Sequence, residues 1–466
     1  MENMIAIVLA AGRGTRMLSA HSKVLHKLLD EPLLSYPLRA LSELDIKRTL
    51  VVVSGGDDGD QVVNSMSDFS SLEWPRQIQA RGTADAVSAA ISKLDGVSGS
   101  ALILCGDVPL LTGKTLQLFY QRHLESQSQL TILTAVLDDG ASYGRIILDL
   151  DGAPEKIVEA KDATAEQLSI TRINSGTYIV DLDLLRRALA DTNCDNAQGE
   201  YYLTDMVAFA RREAATSAIY DIADSDEILG INRREDLVKL EKIMASRICS
   251  YWLAHGVTVR MPDTVRIGPC VTLGQDTEIE PGAALLGETT VGTDSIIGSG
   301  AQIKDSKIGN QVEIKAYSIL EDAVVDESSQ IGPFARLRPG TEIGSGAKIG
   351  NFVETKKARF GNGAKASHLA YIGDAEVGED SNLGAGTITC NYDGFNKFKT
   401  KIGQRVFVGS DSQLVAPVKL GDDVLVGAGS TITKDVSDNA LVTTRNRQKE
   451  LTGRGMTWRR QSLEEK

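Results

Sequence analysis

The sequence offers little to covalent or metal cross-linking. Its five cysteines, Cys105, Cys194, Cys249, Cys270 and Cys390, are scattered, and no pair has the spacing of a metal or redox site. Disulfides and structural zinc are therefore not expected, and a reducing, cytoplasmic setting is. Long apolar runs are also missing. Met4 to Ala11 is short and gives way at once to Gly12, Arg13 and Gly14, so neither a secretory signal nor a membrane span is expected. Positive charge is the scarcer sign: a formal net charge of −13 disfavours general affinity for nucleic acid or anionic membrane. Any anionic ligand must be caught by a local cluster of cations.

What is present changes period along the chain, and 466 residues suggest two or three domains. Up to about residue 230, short apolar runs (Ile5 to Leu9, Leu50 to Val53, Ala101 to Leu104, Leu130 to Val136) alternate with helix-like stretches, which predicts an α/β domain on a mostly parallel sheet. From Asn232 to His255, Leu237, Leu240, Met244, Ile248 and Tyr251 recur at three and four, with Gly256 as a stop signal, so a linker helix is expected over 232–256. Beyond Val257 the period becomes six: Ile267, Leu273, Ile279, Leu285, Val291, Ile297 and Ile303, then Val325 to Ile349, then Ile402 to Ile432. One inward aliphatic per short strand, followed by a tight turn, is the pattern of a parallel β-helix of hexapeptide repeats, with residues 18 apart stacked. The span holds about ten coils, well above the three or so that a solenoid needs. Its left hand is implied by resemblance to hexapeptide-repeat acyltransferases.

Two places carry chemistry. Leu9-Ala10-Ala11-Gly12-Arg13-Gly14-Thr15-Arg16-Met17 follows the first strand, with Lys23 shortly after it. Small residues there let backbone N–H groups approach a phosphate, and Arg16 and Lys23 can neutralise a leaving pyrophosphate. No Gly-Lys-Ser/Thr ends the segment and the third glycine of a dinucleotide fingerprint is missing, which excludes both of those loops. Asp107, in Cys105-Gly106-Asp107-Val108-Pro109, is either a turn residue or a hard oxygen for Mg²⁺ just past a strand. In the solenoid, Arg338 and Lys356 are 18 apart and should stack about 5 Å from each other. Two such cations either splay into solvent or share a bridging anion such as a sugar phosphate. His368 is the only histidine beyond Val257, and Glu354 precedes it by 14 residues. The imidazole is either a surface residue or a base that a carboxylate can orient. The segment from Cys390 to Lys397 interrupts the hexads and should protrude as a loop.

These segments, with Tyr143-Gly144-Arg145, Ile157 to Asp162, Asn174-Ser175-Gly176, Glu200 to Asp205 and Gly230-Ile231-Asn232, occur in the order found in one family. Over nearly its whole length the chain resembles the bifunctional N-acetylglucosamine-1-phosphate uridyltransferases / glucosamine-1-phosphate N-acetyltransferases. The resemblance implies an α/β nucleotidyltransferase (Rossmann-like) domain at 1–231, the linker helix at 232–256, and a left-handed β-helix acetyltransferase domain with a C-terminal tail at 257–466. It implies that Asp107 and Asn232 hold Mg²⁺, that Arg16 and Lys23 face the triphosphate, and that Leu9, Ala10, Ala11, Gly12 and Gly14 line its site. Gln77, Gly82 and Thr83 would hold uracil; Gly144, Glu159, Asn174, Tyr202 and Thr204 would hold the sugar. In the second half it implies His368 as base with Glu354 in support. Arg338, Lys356, Tyr371, Asn382 and Lys397 would surround glucosamine-1-phosphate, and Ala385, Asn391, Tyr392, Ser410, Ala428 and Arg445 would meet acetyl-CoA. The implied substrates are UTP, glucosamine-1-phosphate and acetyl-CoA, and the implied assembly is a homotrimer.

The chain departs from the family pattern at Ser22, Asp30, Cys105, Ala80 and Asp85. The last two matter most, because Asp85 would bring a carboxylate close to the base pocket and Ala80 removes an amide. Two other readings compete: a single-activity nucleotidyltransferase whose solenoid only assembles or regulates, and a scaffold that has lost its chemistry. The joint presence of Lys23, Asp107, Asn232 and His368 argues against the scaffold.

Overall fold

The computed structural model describes residues 4–12, 14–444 and 447–454. It divides into two compact units, Met1–Met244 and Ala245–Lys466.

In the first unit the apolar runs become the strands Met4–Leu9, Arg48–Ser54, Ser100–Cys105 and Leu130–Val136. Their apolar character is nearly continuous because both faces of the sheet are covered. Ala6, Val8, Val51, Val53, Leu102 and Leu104 enter one core, while Ile5, Ile7, Leu50, Val52, Ala101 and Ile103 enter the other. Met4–Leu9 runs parallel to both Arg48–Ser54 and Ser100–Cys105, so the carboxyl ends of these strands open on one edge. The sheet as a whole is mixed rather than mostly parallel. The long strand Arg172–Asp181 runs antiparallel to both Ser100–Cys105 and Leu130–Val136. The chain enters this part of the sheet by successive reversals: Arg145–Leu148 and Pro154–Val158 form an antiparallel pair, and Ile173 of the long strand pairs antiparallel with Arg145.

The expected helix spans Arg234–Ala254. Asp236 accepts from the N–H groups of Asn232 and Arg233 at 2.9 and 2.8 Å, closing its amino end, and Gly256 at φ 83° turns the chain out at the other. Leu240 is buried in a cluster with Ile231, while Ile248, Cys249 and Trp252 belong to the solenoid core. Tyr251, which the period places on the apolar face, is 54% exposed and stacks on His255 instead. Among the described residues no helix is long and apolar enough to cross a membrane.

The second unit is a left-handed parallel β-helix built from three sheets of eleven, ten and nine strands among the described residues. All the aliphatics of the six-residue period are buried in its one core. Its register explains why the period breaks off at Ile303. Ala284 pairs with Gln302 at a spacing of 18, but Thr290 pairs with Lys307 at 17, so the next inward residue, Ile308, arrives one position early. From there on, coils of 17 come two at a time with one coil of 18 between, until the loop at 391–399 stretches the spacing between Ala375 and Thr400 to 25. That loop protrudes: Tyr392 and Lys397 form its neck, and Phe395 at its tip is 91% exposed.

Candidate active sites

The first site is a cleft of about 360 Å³ at the carboxyl ends of the parallel strands. Leu9, Ala10, Ala11, Gly12, Lys23, Gln77, Gly82, Thr83 and Asp107 all line it, which gathers most of the predicted nucleotide set. Gly14, at φ 59°, starts the short 3-10 helix Thr15–Met17 and backs onto the Lys23 side chain. Gly82 is held at φ 122°, and a Cβ there would lie 2.4 Å from the Tyr201 carbonyl oxygen, so only glycine lets the two backbones approach. The same loop is pinned by the Tyr201 N–H on the Arg81 carbonyl at 2.8 Å and the Ala84 N–H on the Tyr201 carbonyl at 2.9 Å.

Where Lys23 and Asp107 line this cleft, a carboxylate oxygen and an amide oxygen converge on one ammonium. Lys23 Nζ forms an ion pair with Asp107 and lies 3.3 Å from Asn232 Oδ1, which also accepts from Arg16 at 3.1 Å. The ammonium thus occupies the place where a cation shared by Asp107 and Asn232 would sit. These residues fit a hard divalent ion: a carboxylate and an amide oxygen supply the right donors, and Asp236 steadies Asn232 through its backbone. Among the described residues no group of three or more His, Cys, Asp or Glu side chains is placed to hold a metal, so an ion held by Asp107 and Asn232 would need water or a bound ligand to complete its shell.

A second cleft of about 220 Å³ shares Leu9, Thr83 and Cys105 with the first and contains Gly144, Glu159, Asn174 and Thr204 of the predicted sugar set. Burial raises the Glu159 carboxyl above its ordinary pKa, against a hydrogen bond from Thr204 that lowers it. Asn174 is braced by Tyr178, whose hydroxyl it meets at 2.7 Å. Tyr202 is not in this lining; its hydroxyl meets Gln198 at 2.7 Å and Asp162 at 3.3 Å. Burial, with Asp107 nearby, pushes the Cys105 thiol up to about 12, so it stays protonated and is no nucleophile. The sequence reading missed Glu200, which lines the first cleft, and Asp236, whose place as an acidic residue in the first turn of the linker helix is the signal that could have found it.

In the solenoid the cations gather as the stacking argument requires. Contact with the Lys397 ammonium, its charge and then that of Arg338 hold Lys356 below the ordinary lysine pKa, so the three groups crowd one spot. Glu354 bonds to Arg338 at 2.8 Å. The partner of His368 is Asn351: the two are paired across adjacent coils and Nδ1 lies 2.6 Å from Asn351 Oδ1. Gly350 permits this, since a Cβ there would fall 1.8 Å from the Ser367 carbonyl oxygen. Tyr371 pairs with Glu354, and its hydroxyl crosses Gly373 towards Asn391. Asn391 is buried and donates to Asp374 at 2.6 Å, whereas Tyr392 is 59% exposed on the loop. Asn382 lies along the eleven-stranded sheet that carries Lys365–His368, while Glu354, Lys356 and Tyr371 lie along the ten-stranded one. Ala385, Ser410 and Ala428 each follow an inward aliphatic of the eleven-stranded sheet by two residues, as His368 follows Ala366, so all four share one corner of the solenoid. Arg445 lies outside the described residues.

A cation-lined cleft on an α/β sheet, followed in the same chain by a hexapeptide β-helix with a histidine on its corner, defines a two-site transferase. Residues 6–145 match the MobA-like NTP transferase domain family, and residues 399–434 match the bacterial transferase hexapeptide family (six repeats). The chain is 45% identical over 448 residues to the bifunctional protein GlmU of Trichlorobacter lovleyi, covering 96% of this chain and 97% of that one. It is 43% identical over 446 residues to that of Exiguobacterium sibiricum (96% and 98%) and 44% identical over 448 residues to that of Listeria monocytogenes (96% and 97%). The chain belongs to the GlmU family of bifunctional proteins.

Proposed function

We propose that the chain makes UDP-N-acetylglucosamine in two steps. The solenoid transfers acetyl from acetyl-CoA to glucosamine-1-phosphate, and the α/β domain then joins the product to UTP with loss of pyrophosphate. Residues 1–231 serve as uridyltransferase, 232–256 as linker and 257–466 as acetyltransferase. The observation that carries this reading is that an acidic chain gathers cations twice, at Arg16 and Lys23 and again at Arg338, Lys356 and Lys397, each group beside complementary chemistry.

In the acetyl step the substrate amine attacks the thioester carbonyl, a C–N bond forms, and the C–S bond breaks to release the thiol. An amide oxygen only accepts, so Asn351 Oδ1 places the proton of His368 on Nδ1 and leaves Nε2 free to take one from the amine. Glu354 acts through Arg338, fixing the guanidinium that with Lys356 and Lys397 holds the sugar phosphate. In the uridylyl step a phosphate oxygen of the sugar attacks the α-phosphorus of UTP in line with the leaving pyrophosphate. That oxygen is already ionised near neutral pH, so no base is needed. Asp107 and Asn232 would hold Mg²⁺, which when bound supplies positive charge to the phosphates. Arg16 and Lys23 neutralise the charge that grows on the leaving group. Gln77, Gly82 and Thr83 orient the base, and Glu159 and its neighbours the sugar. The placement of Asn382 on a different sheet from Lys356 supports a homotrimer in which neighbouring chains complete the acetyl site. The five free cysteines and the absence of a spanning helix among the described residues suit the cytoplasm.

The test separates the halves. His368→Ala should stop thiol release from acetyl-CoA while leaving pyrophosphate release from N-acetylglucosamine-1-phosphate intact, and Asp107→Ala should do the reverse. Loss of both reactions from either folded variant would overturn the two-site assignment.

A further inference from the structure

We propose that Asp85, neutralised by Arg81, is a positioning residue that turns the Gln77 amide so that it reads uracil and rejects cytosine. This deepens the reading of the first cleft as the UTP site and rests on it.

Gln77 is only 8% exposed and lines that cleft with Gly82 and Thr83. Its Nε2 donates to Asp85 Oδ2 at 2.9 Å and to the Gly82 carbonyl at 3.0 Å. A carboxylate and a backbone carbonyl only accept, and an amide nitrogen carries two hydrogens, so both are committed on the protein side. The orientation of the amide therefore follows from its partners and not from an arbitrary assignment of oxygen and nitrogen. The polar atom left for a ligand is Oε1, an acceptor. Uracil presents an N3–H donor between two carbonyl oxygens, whereas cytosine presents a bare N3 acceptor at the same place. An acceptor held rigidly opposite pairs with the first and repels the second.

The carboxylate divides its work. While Oδ2 takes Gln77, Oδ1 receives Arg81 Nε at 3.1 Å and its terminal nitrogen at 2.6 Å. Arg81 in turn lies over the Tyr201 ring at 5.7 Å, on the segment that pins the loop. The negative charge that Asp85 brings to a nucleotide pocket is thus paired before a triphosphate arrives.

The experiment measures kcat/KM for UTP and for CTP with N-acetylglucosamine-1-phosphate on the full chain. Asp85→Asn keeps the shape but offers a group that both donates and accepts, so Gln77 can turn either face to the base. The UTP:CTP ratio should fall at least tenfold, and Asp85→Ser should give the same fall if the asparagine variant does not fold. Arg81→Ala leaves the Gln77–Asp85 bond but unmasks the charge; it should raise KM for both nucleotides together and move their ratio less than threefold. If a folded Asp85 variant turns over UTP with an unchanged ratio, the positioning role is overturned and the UTP reading stands. If the unaltered chain turns over no UTP, the underlying reading falls and this inference with it.

Discussion

Replacing Lys23 by methionine keeps the aliphatic stem and removes the ammonium from between Asp107 and Asn232. The side chains of Lys23 and Asp107 are 13% and 18% exposed, so water screens their pairing only in part. Opposite unit charges about 4 Å apart interact by about 4 kcal/mol at the effective dielectric of such a site. A divalent ion entering the nucleotide-free site must displace or tolerate that ammonium, and its own dehydration consumes much of the gain from a freed carboxylate. A net improvement of about 1–3 kcal/mol remains, or roughly 5- to 150-fold in affinity. Lys23→Met should therefore bind Mn²⁺, a spectroscopic substitute for Mg²⁺, more tightly than the unaltered chain, as followed by electron paramagnetic resonance without nucleotide. The same variant should lose about a hundredfold in uridylyl kcat, because the leaving pyrophosphate has lost a cation. Acetyl transfer should be untouched. Mn²⁺ affinity that stays within twofold, or weakens, would refute the claim that the ammonium stands in the cation's place.

Gly82→Ala should raise KM for UTP tenfold or more and lower the melting temperature of the first unit. Its Cβ meets Tyr201 backbone at 2.4 Å, and a non-glycine residue at φ 122° costs about 1–3 kcal/mol. The affinity for glucosamine-1-phosphate should weaken at alkaline pH, earlier than an ordinary lysine would dictate, because Lys397 and Arg338 hold the Lys356 pKa down. Lys356→Arg should abolish that limb of the KM profile, since guanidinium stays charged there. Glu159→Gln should stabilise the fold at neutral pH, with the gain vanishing below about pH 4. The sign follows from burial: a carboxyl whose folded pKa is raised contributes most stability when protonated and loses it as pH climbs through that value. Thermal melts across pH check it, and the same variant should bind N-acetylglucosamine-1-phosphate more weakly.

The solenoid was legible because each strand sends a single aliphatic inward, and a six-residue spacing of Ile, Leu and Val survives almost any surface sequence. The one-residue deletions that produce 17-residue coils were not, since a step from Ile303 to Ile308 looks like a lost repeat until the paired register is known. The same slip hid the partner of His368. Asn351 precedes it by 17 residues, one short coil, whereas a uniform 18 would have put Gly350 opposite. The stacking of Arg338 near Lys356 was readable because that coil keeps the full 18. In the first unit, residue types singled out Arg16, Lys23, Asp107 and Asn232, which the fold brings together, but no local signal gave the direction of Arg172–Asp181 or put the Lys23 ammonium between Asp107 and Asn232. Asp85 read as a bare carboxylate beside a nucleotide; only the fold reveals Arg81 on one oxygen and Gln77 on the other.

The most direct measurement gives the purified chain glucosamine-1-phosphate, acetyl-CoA, UTP and Mg²⁺ and identifies products by mass, with each reagent omitted in turn. UDP-N-acetylglucosamine, coenzyme A and pyrophosphate should all appear together, with N-acetylglucosamine-1-phosphate alone accumulating when UTP is left out. Nucleotide-sugar formation without any acetyl transfer, or neither reaction, would contradict the account of two phosphate-gathering sites in one chain.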